Sequence, residues 1–263
     1  MPQVDSFEVG TFCWAELSTS DEPAARAFYS AVFDWDVEVS EIPGGTYSTF
    51  TKRGRAVAAA AQQGEDEAAQ GVPPHWNLYV SVDDADSFAK KAASVGGTVI
   101  VPAFDVMEFG RMAVVADPTG AVLGLWQPTA MAGYGVTDDP DTPGWHELMT
   151  PDIDKARAFY SELFGWSQKD YPMERGTYTV FMSGENSRAG AMSTPEDLGE
   201  LSVWTIYFDV EDCDATVDKI KGAGGRVDFG PEFVETVGSF ASVADPQGAA
   251  FAVITPDPNE PQP

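Results

Sequence analysis

The chain has 263 residues, 43% of them hydrophobic and 22% charged, which is enough apolar material to bury one large or two medium cores. The 42 Asp and Glu residues outnumber the 15 Lys and Arg residues and give a net charge of −27. This charge disfavours nucleic acid and anionic membranes as partners. It indicates either that the protein attracts cationic ligands or only that its acidic surface is well solvated. The sequence contains neither an apolar run of roughly 18 residues nor a basic, apolar leader, so we predict a cytoplasmic protein whose Cys13 and Cys213 are buried thiols.

The first half of the chain alternates predicted strands and helices. Residues 12–19 alternate as a strand, and the sequence Ser20-Asp21-Glu22-Pro23 offers an N-cap for a helix through Phe33. We expect the apolar face of that helix to contain Ala24, Ala27, Phe28 and Ala31. The remaining predicted elements are strands around 47–52 and 56–61, a strand over 75–82, a helix over 84–94 that stops at Gly96-Gly97, and two strands flanking the turn Asp117-Pro118-Thr119-Gly120.

The second half repeats this order. Trp14-Ala15-Glu16-Leu17 matches Trp145-His146-Glu147-Leu148 at an offset of 131 (145 minus 14), and Gly45-Thr46-Tyr47 matches Gly176-Thr177-Tyr178 at the same offset. After a three-residue indel the offset is 128 (204 minus 76), and Trp76 then matches Trp204. We therefore predict two fused modules, 1–130 and 144–256, joined by a turn-rich linker at 131–143 and followed by a flexible tail at 257–263.

This order of elements, with a first helix containing Phe28-Tyr29 or Phe159-Tyr160 and a hairpin turn of Asp-Pro-x-Gly, resembles the vicinal oxygen chelate superfamily. That superfamily includes glyoxalase I, bleomycin-resistance proteins and extradiol dioxygenases. The chain is most similar in pattern to two-module glyoxalase-like proteins of actinobacteria, some of them labelled hydroxylases. The resemblance implies an α+β fold of two tandem glyoxalase-like domains, each with paired βαβββ-type units whose curved mixed sheets form cups.

The resemblance also implies where metal ligands would lie, and the residues there are unsuitable. The family's positions fall on Trp14, Asn77 and Gly124 in the first module and on Trp145, Thr205 and Ala252 in the second. Divalent metals prefer His, Cys and carboxylate ligands, so we predict neither a metal nor another cofactor. His146 is one position past a ligand position and should point to the opposite face of its strand. A register slip would reverse that expectation and leave a non-standard metal site involving His146, Glu147 or His75.

Strand alternation directs another set of side chains into the cups. Trp14 and Glu16 should share one face, as should Trp145 and Glu147, because the opposite face must be apolar where helices cover it. In many relatives each pocket combines strands of both modules. On that pattern one cavity gathers Trp145, Glu147, His75, Asn77 and Tyr79, and the other gathers Trp14, Glu16, Val203, Thr205 and Tyr207.

Two functions fit these residues. In the first, the protein binds an aromatic or cationic small molecule without metal, as a sequestering resistance protein does; Trp14, Trp145, Asn77, Tyr79, Thr205 and Tyr207 would then line the site. In the second, it is a metal-independent lyase, isomerase, hydrolase or hydroxylase with Glu147 and His75, or Glu16, as acid and base. Each Glu could equally form a hydrogen bond to a neighbouring strand, and His75 could be a rim residue.

Because the fusion supplies its own symmetry, we expect a monomer with an internal pseudo-twofold axis, with a homodimer as the alternative.

Overall fold

The computed structural model describes residues 5–42, 45–173 and 176–258. The elements of the first half, called module 1 from here on, are β1 (Phe12–Thr19), α1 (Glu22–Phe33), β2 (Asp36–Ile42), β3 (Gly45–Lys52), β4 (Arg55–Gln62), α2 (Glu65–Ala69), β5 (His75–Ser81), α3 (Ala85–Ser94), β6 (Thr98–Val106), β7 (Gly110–Ala116) and β8 (Val122–Pro128). Those of module 2 are β9 (Thr142–Thr150), α4 (Ile153–Phe164), β10 (Ser167–Met173), β11 (Gly176–Ser183), β12 (Asn186–Ser193), a 3-10 turn (Glu196–Leu198), β13 (Val203–Asp209), α5 (Cys213–Gly222), β14 (Arg226–Val234), β15 (Gly238–Ala244) and β16 (Ala250–Pro256).

Each module forms one curled sheet of eight described strands. The orders are β2-β3-β4-β1-β5-β8-β7-β6 and β10-β11-β12-β9-β13-β16-β15-β14. The βαβββ unit occurs twice in each module, and the first strands of its two units, β1 with β5 and β9 with β13, pair antiparallel at the centre of the sheet. The predicted α+β fold of tandem domains with paired βαβββ units and cup-forming sheets is confirmed.

Helix α1 shows why the predicted apolar face was wrong in detail. Asp21 caps the helix by accepting a hydrogen bond from the Ala24 amide, as predicted. The helix buries Phe28 as expected, but it turns Tyr29 inward and leaves Ala27 and Ala31 exposed. Large aromatic side chains remove more apolar surface from water than alanine methyl groups, so they determine the rotation of the helix about its axis.

The two modules pack through their helix-bearing faces. Helix α1 lies beside α5 and α3 lies beside α4. Phe33 contacts Phe208 of the other module with ring centroids 5.1 Å apart. Two buried hydrogen bonds cross the same interface in matching positions, from Tyr29 Oη to Asp245 Oδ2 (3.1 Å) and from Tyr160 Oη to Asp117 Oδ2 (2.9 Å). One face of each sheet is therefore covered by helices and by the other module, and we call the opposite face the open face.

Two tryptophans join the modules crosswise. Trp35 Nε1 of module 1 donates to the carbonyl of Asp141, just ahead of β9, and Trp166 Nε1 of module 2 donates to the carbonyl of Gly10, just ahead of β1. The segment between β8 and β9 also packs firmly, since Tyr134 is buried and its amide donates to the carbonyl of Cys13 over 2.7 Å. The segment that leads into each module is thus part of the interface between the two.

Cys13 and Cys213 are buried free thiols, as predicted. No helix within the described ranges combines the length and the apolar character that a membrane crossing requires. Most of the predicted tail, from 259 to 263, lies outside the described residues.

Candidate functional site

The open face of module 1 holds a row of paired side chains on the central strands. The β1–β5 register places Trp14 opposite Tyr79, Glu16 opposite Asn77 and Ser18 opposite His75. Their neighbour Trp76 points the other way, toward the helices, where its Nε1 donates to Tyr29 Oη over 3.2 Å. Alternation along the strand therefore sets the paired row on the open face, and we call this site cup 1.

The same arrangement occurs in module 2, where it forms cup 2. The β9–β13 register pairs Trp145 with Tyr207, Glu147 with Thr205 and Met149 with Val203. Trp204 points toward the helices and donates to Tyr160 Oη over 2.8 Å. The cup-facing orientation predicted for both Trp and Glu pairs matches this geometry.

The predicted exchange of strands between modules is wrong. Glu147 and His75 lie in different sheets, so the cavity expected to combine Trp145 and Glu147 with His75, Asn77 and Tyr79 does not form. The cavity expected to combine Trp14 and Glu16 with Val203, Thr205 and Tyr207 does not form either. The physical reason is that β1 pairs with β5 and β9 with β13, which completes each cup within its own module. His75 lies near Glu16 instead, where burial raises the pKa of the carboxyl and the electrostatic effect of His75 opposes that rise to a smaller extent.

A Trp–Tyr–Glu constellation, incompletely identified from the sequence, lies at the centre of each cup. Trp14 Nε1 donates to Tyr47 Oη over 3.2 Å, and the Tyr47 hydroxyl lies beside the Glu16 carboxyl. In cup 2, Trp145 Nε1 donates to Tyr178 Oη over 2.9 Å, and the Tyr178 hydroxyl lies beside the Glu147 carboxyl. The two tyrosines belong to the repeated Gly-Thr-Tyr triplet. That repeat was visible in the sequence, but the repeat alone did not indicate that β3 and β11 would place the tyrosine hydroxyls beside these carboxyls.

The carboxyls of both cups are shifted toward their protonated forms. Burial raises the pKa of Glu16 and of Glu147, and hydrogen bonds from tyrosine hydroxyls oppose that rise. The pKa of Tyr47 and of Tyr178 is also raised, first by burial and then by the adjacent carboxylate, which keeps both hydroxyls available as donors. Each cup thus presents a carboxyl beside a tyrosine hydroxyl in an aromatic setting.

Cup 1 carries additional polar groups at its rim. Ser18 Oγ donates to Glu67 Oε2 on the short helix α2 over 2.8 Å, and the charge of Glu67 raises the pKa of Glu16. His75, at the start of β5, lies within hydrogen-bond distance of the Pro73 carbonyl through Nδ1 (2.8 Å). Glu67 was missed from the sequence because α2 lies in a segment that shows no helical apolar pattern.

The side chains at the family's metal positions do not fit a divalent metal. Trp14, Asn77 and Gly124 lie on the adjacent strands β1, β5 and β8, where they offer an indole, an amide and a hydrogen atom. Within the part of the chain that the structure describes, no three His, Cys, Asp or Glu side chains converge as a metal site would require. Metal sites of this family's kind use nitrogen, sulfur and carboxylate donors.

His146 is placed as strand alternation predicts, on the face opposite Glu147. Its ring stacks on Phe12 at a centroid distance of 4.0 Å, and burial lowers its pKa to about 3. A neutral, stacked imidazole beside the Tyr134 ring is a core residue of the module interface. It therefore has no part in either cup.

Comparison with known proteins agrees with this architecture. The family model described as "Glyoxalase/Bleomycin resistance protein/Dioxygenase superfamily" matches residues 11–125 and again 133–253. A Mycobacterium tuberculosis protein named "Putative glyoxylase CFP32" is 40% identical over 99% of this chain and 100% of its own length. The Streptomyces peucetius protein named "Anthracycline biosynthesis protein DnrV" is 36% identical over 94% of each chain.

Two solved structures share the fold at low sequence identity. The Mn(II)-bound glyoxalase of Novosphingobium aromaticivorans superposes with a TM-score of 0.63 at 16% identity, covering 96% of this chain and 89% of its own. The 2,3-dioxygenase LapB of Pseudomonas sp. KL28 gives a TM-score of 0.64 at 15% identity, covering 95% of this chain and 96% of its own. With two family matches that span nearly the whole chain, the protein belongs to the glyoxalase/bleomycin resistance protein/dioxygenase superfamily.

Proposed function

We propose that this protein binds a planar aromatic small molecule carrying a cationic amine, and that it does so in a cup without a metal ion. The observation that carries the proposal is the Trp–Tyr–Glu constellation, which both modules place on the open faces where the family's metal ligands would lie. An aromatic wall offers stacking to a flat ring system, and a carboxyl beside it offers a charge-assisted hydrogen bond to an amine. The protein's net charge of −27 favours the approach of cationic ligands.

The names of the Streptomyces relatives support this ligand class. DnrV, and DauV of Streptomyces sp. strain C5 at 36% identity, are both named for anthracycline biosynthesis. An anthracycline combines a flat fused-ring chromophore with an amino sugar, which is the combination that an aromatic cup with a carboxyl would recognise. We therefore use the amino-sugar anthracycline daunorubicin as the probe and its uncharged aglycone as the matched comparison.

The test is calorimetric and fluorescence titration of the purified protein with both compounds, with and without a chelator. We expect daunorubicin to bind more tightly than the aglycone and the chelator to change neither affinity. Glu16→Gln should remove most of the preference for the charged compound, whereas Glu162→Gln, at an exposed position on α4, should leave it unchanged. Failure of both compounds to bind, or binding that requires an added metal, would overturn the proposal.

A second candidate function is metal-independent acid–base catalysis, now centred on Glu16 with His75 rather than on Glu147 with His75. The observation that favours it is the position of the Glu16 carboxyl, whose pKa is raised by burial, near the imidazole of His75, since a carboxyl and an imidazole together can serve as acid and base. Lyase, isomerase and hydrolase reactions are all consistent with such a pair. In this case Glu16→Gln should retain ligand binding and lose product formation, monitored by mass spectrometry. Unchanged turnover in that variant would reject the role.

We also propose that the chain acts as a monomer. The helix-bearing faces of its two modules already cover each other through the Phe33–Phe208 and Tyr29–Asp245 contacts. Sedimentation at micromolar concentration should therefore give the mass of a single chain, 28.2 kDa. A species of twice that mass would favour the homodimer.

A further inference from the structure

The two cups differ by a reciprocal exchange of glycine and alanine at two matched positions. On the strand beside β5, Gly124 stands opposite Tyr79, and its counterpart in module 2 is Ala252, opposite Tyr207. On the strand beside β1, Ala59 stands opposite Glu16, and its counterpart is Gly190, opposite Glu147. Position 59 or 190 is directly beside the central Glu, whereas position 124 or 252 is one strand further away, beside the tyrosine of β5 or β13. A methyl group at the second position therefore acts on the carboxyl through that tyrosine.

The exchange on β8 and β16 sets the direction of one tyrosine in each cup. The ring of Tyr79 lies over Gly124, where an added Cβ would overlap ring atoms Cδ1 and Cε1. Tyr79 is consequently only 6% exposed and lies low against the sheet. In cup 2 the methyl group of Ala252 takes this space, and Tyr207 Oη instead donates to Glu147 Oε1 over 2.9 Å.

The exchange on β4 and β12 likewise determines where a tyrosine hydroxyl can lie relative to the Glu. The hydroxyl of Tyr178 lies over Gly190, in the space that an added Cβ would fill, and beside Glu147. In cup 1 the methyl group of Ala59 occupies the equivalent space. Glu147 therefore has two tyrosine hydroxyls beside it, Tyr178 and Tyr207, and accepts a hydrogen bond from Tyr207. Glu16 has the Tyr47 hydroxyl in the position that matches Tyr178.

We propose that cup 1 is the ligand-accepting site, that cup 2 is a closed copy of it, and that Gly124 and Ala252 are the residues that decide between the two states. The proposal rests on the proposed function for the class of ligand. A carboxylate has room for about four hydrogen bonds, so Glu16 keeps more acceptor capacity for a ligand amine than Glu147 does.

A ligand-free experiment tests the tyrosine positions by themselves. The pKa values of Glu16 and Glu147 would be followed by carbon-13 NMR titration of glutamate-labelled protein, with Gln variants used for assignment. Gly124→Ala should push Tyr79 toward Glu16 and lower the pKa of that carboxyl, because a new donor stabilises its charged form. Ala252→Gly should let Tyr207 settle against the sheet and raise the pKa of Glu147. Unchanged pKa values in both variants, with folding verified by circular dichroism, would overturn the proposal.

Calorimetric titration with daunorubicin tests which cup accepts the ligand. The wild-type chain should bind about one molecule, Gly124→Ala should weaken binding at least about tenfold, and Ala252→Gly should raise the stoichiometry toward about two. Tyr207→Phe removes the hydroxyl that donates to Glu147 without altering the backbone, so it should also raise the stoichiometry. It replaces Ala252→Gly in the experiment if that variant folds poorly. Two equal sites in the wild-type chain, or full binding by Gly124→Ala, would overturn the proposal. Absence of any binding would refute the proposed function, and the NMR titration would still decide the state of the two cups.

Discussion

At the scale of single residues, the chemistry of the cups is concentrated in two glutamates whose surroundings oppose their ionisation. Burial raises the pKa of Glu16 and Glu147, while each tyrosine hydroxyl that donates to them lowers it. A buried carboxyl without such donors would be a large cost to folding. The tyrosines thus allow a carboxyl to be retained in an aromatic cup.

The raised pKa of Glu147 predicts a pH-dependent effect of its replacement. A carboxyl whose folded-state pKa lies above its unfolded value holds its proton more tightly in the folded protein, so its contribution to stability is present at low pH and is lost as pH rises through the folded pKa. Glu147→Gln removes this titration. We expect the variant to gain melting temperature relative to the wild type at pH 8 but not at pH 4, by about 2–4 °C for each kcal/mol.

Thermal unfolding at the two pH values measures this difference, with exposed Glu162→Gln as the control that should show none. A difference between Glu147→Gln and the wild type that does not change with pH would contradict the prediction. The same measurement on Glu16→Gln should show the same sign, because the pKa of Glu16 is raised by the same main cause.

At the scale of elements, the helices connect the modules through paired tyrosines. Tyr29 on α1 accepts from Trp76 and donates to Asp245, and Tyr160 on α4 accepts from Trp204 and donates to Asp117. Each hydroxyl therefore satisfies two buried groups, one from its own module and one from the other. Burial raises the pKa of both phenols, which keeps them protonated.

Removal of either hydroxyl should be costly. Tyr29→Phe leaves a buried carboxylate and a buried indole N–H each short of one partner, for which about 1–3 kcal/mol of unfolding free energy is expected. Tyr160→Phe should cost a similar amount, and the double variant should be close to additive because the two sites share no partner. Chemical denaturation measures these values, with half-exposed Tyr171→Phe as the matched control. A loss below about 0.5 kcal/mol, the size expected of a surface change, would contradict the prediction.

The elements also show what the sequence could and could not predict. Strands such as β1 and β5 alternate clearly because one face meets helices and the other an open cup. Strands β2 and β10 were missed because they form sheet edges with few buried residues, so no alternation marks them. The composition of each cup was harder to predict: Trp14 and Glu16 follow from alternation, but their partner Tyr47 comes from a strand pairing that no local pattern specifies. The wrong expectation that Glu147 meets His75 came instead from a pairing of strands between modules that occurs in many relatives and is not found here.

At the scale of the whole molecule, the crosswise contacts of Trp35 and Trp166 predict that the two modules unfold together. Aromatic residues of both modules, including Phe33, Phe208 and Phe251, share one buried interface. Calorimetry should therefore show one transition whose calorimetric and van't Hoff enthalpies agree. Two resolved transitions would mean that the interface contributes little to the stability of either module.

The net charge predicts a salt effect on ligand binding. Screening weakens the attraction of a cationic ligand to an acidic protein, because the Debye length falls from about 10 Å at 0.1 M salt to about 3 Å at 1 M. Daunorubicin affinity should therefore fall as sodium chloride is raised, while the affinity of the uncharged aglycone should hold or rise slightly. Parallel behaviour of the two compounds would show that the charge of the protein has no part in recognition.

The glycine and alanine exchange between the cups has a consequence for how such proteins diversify. Codons for the two amino acids differ only at the second base, so one nucleotide substitution at position 124 or at position 252 would close or open a cup. After the ancestral gene duplicated, one half could lose its pocket without loss of the fold, because the change lies on the face of the sheet opposite the helices and the other module. A lineage could reassign the working pocket from one half of the gene to the other in two such steps.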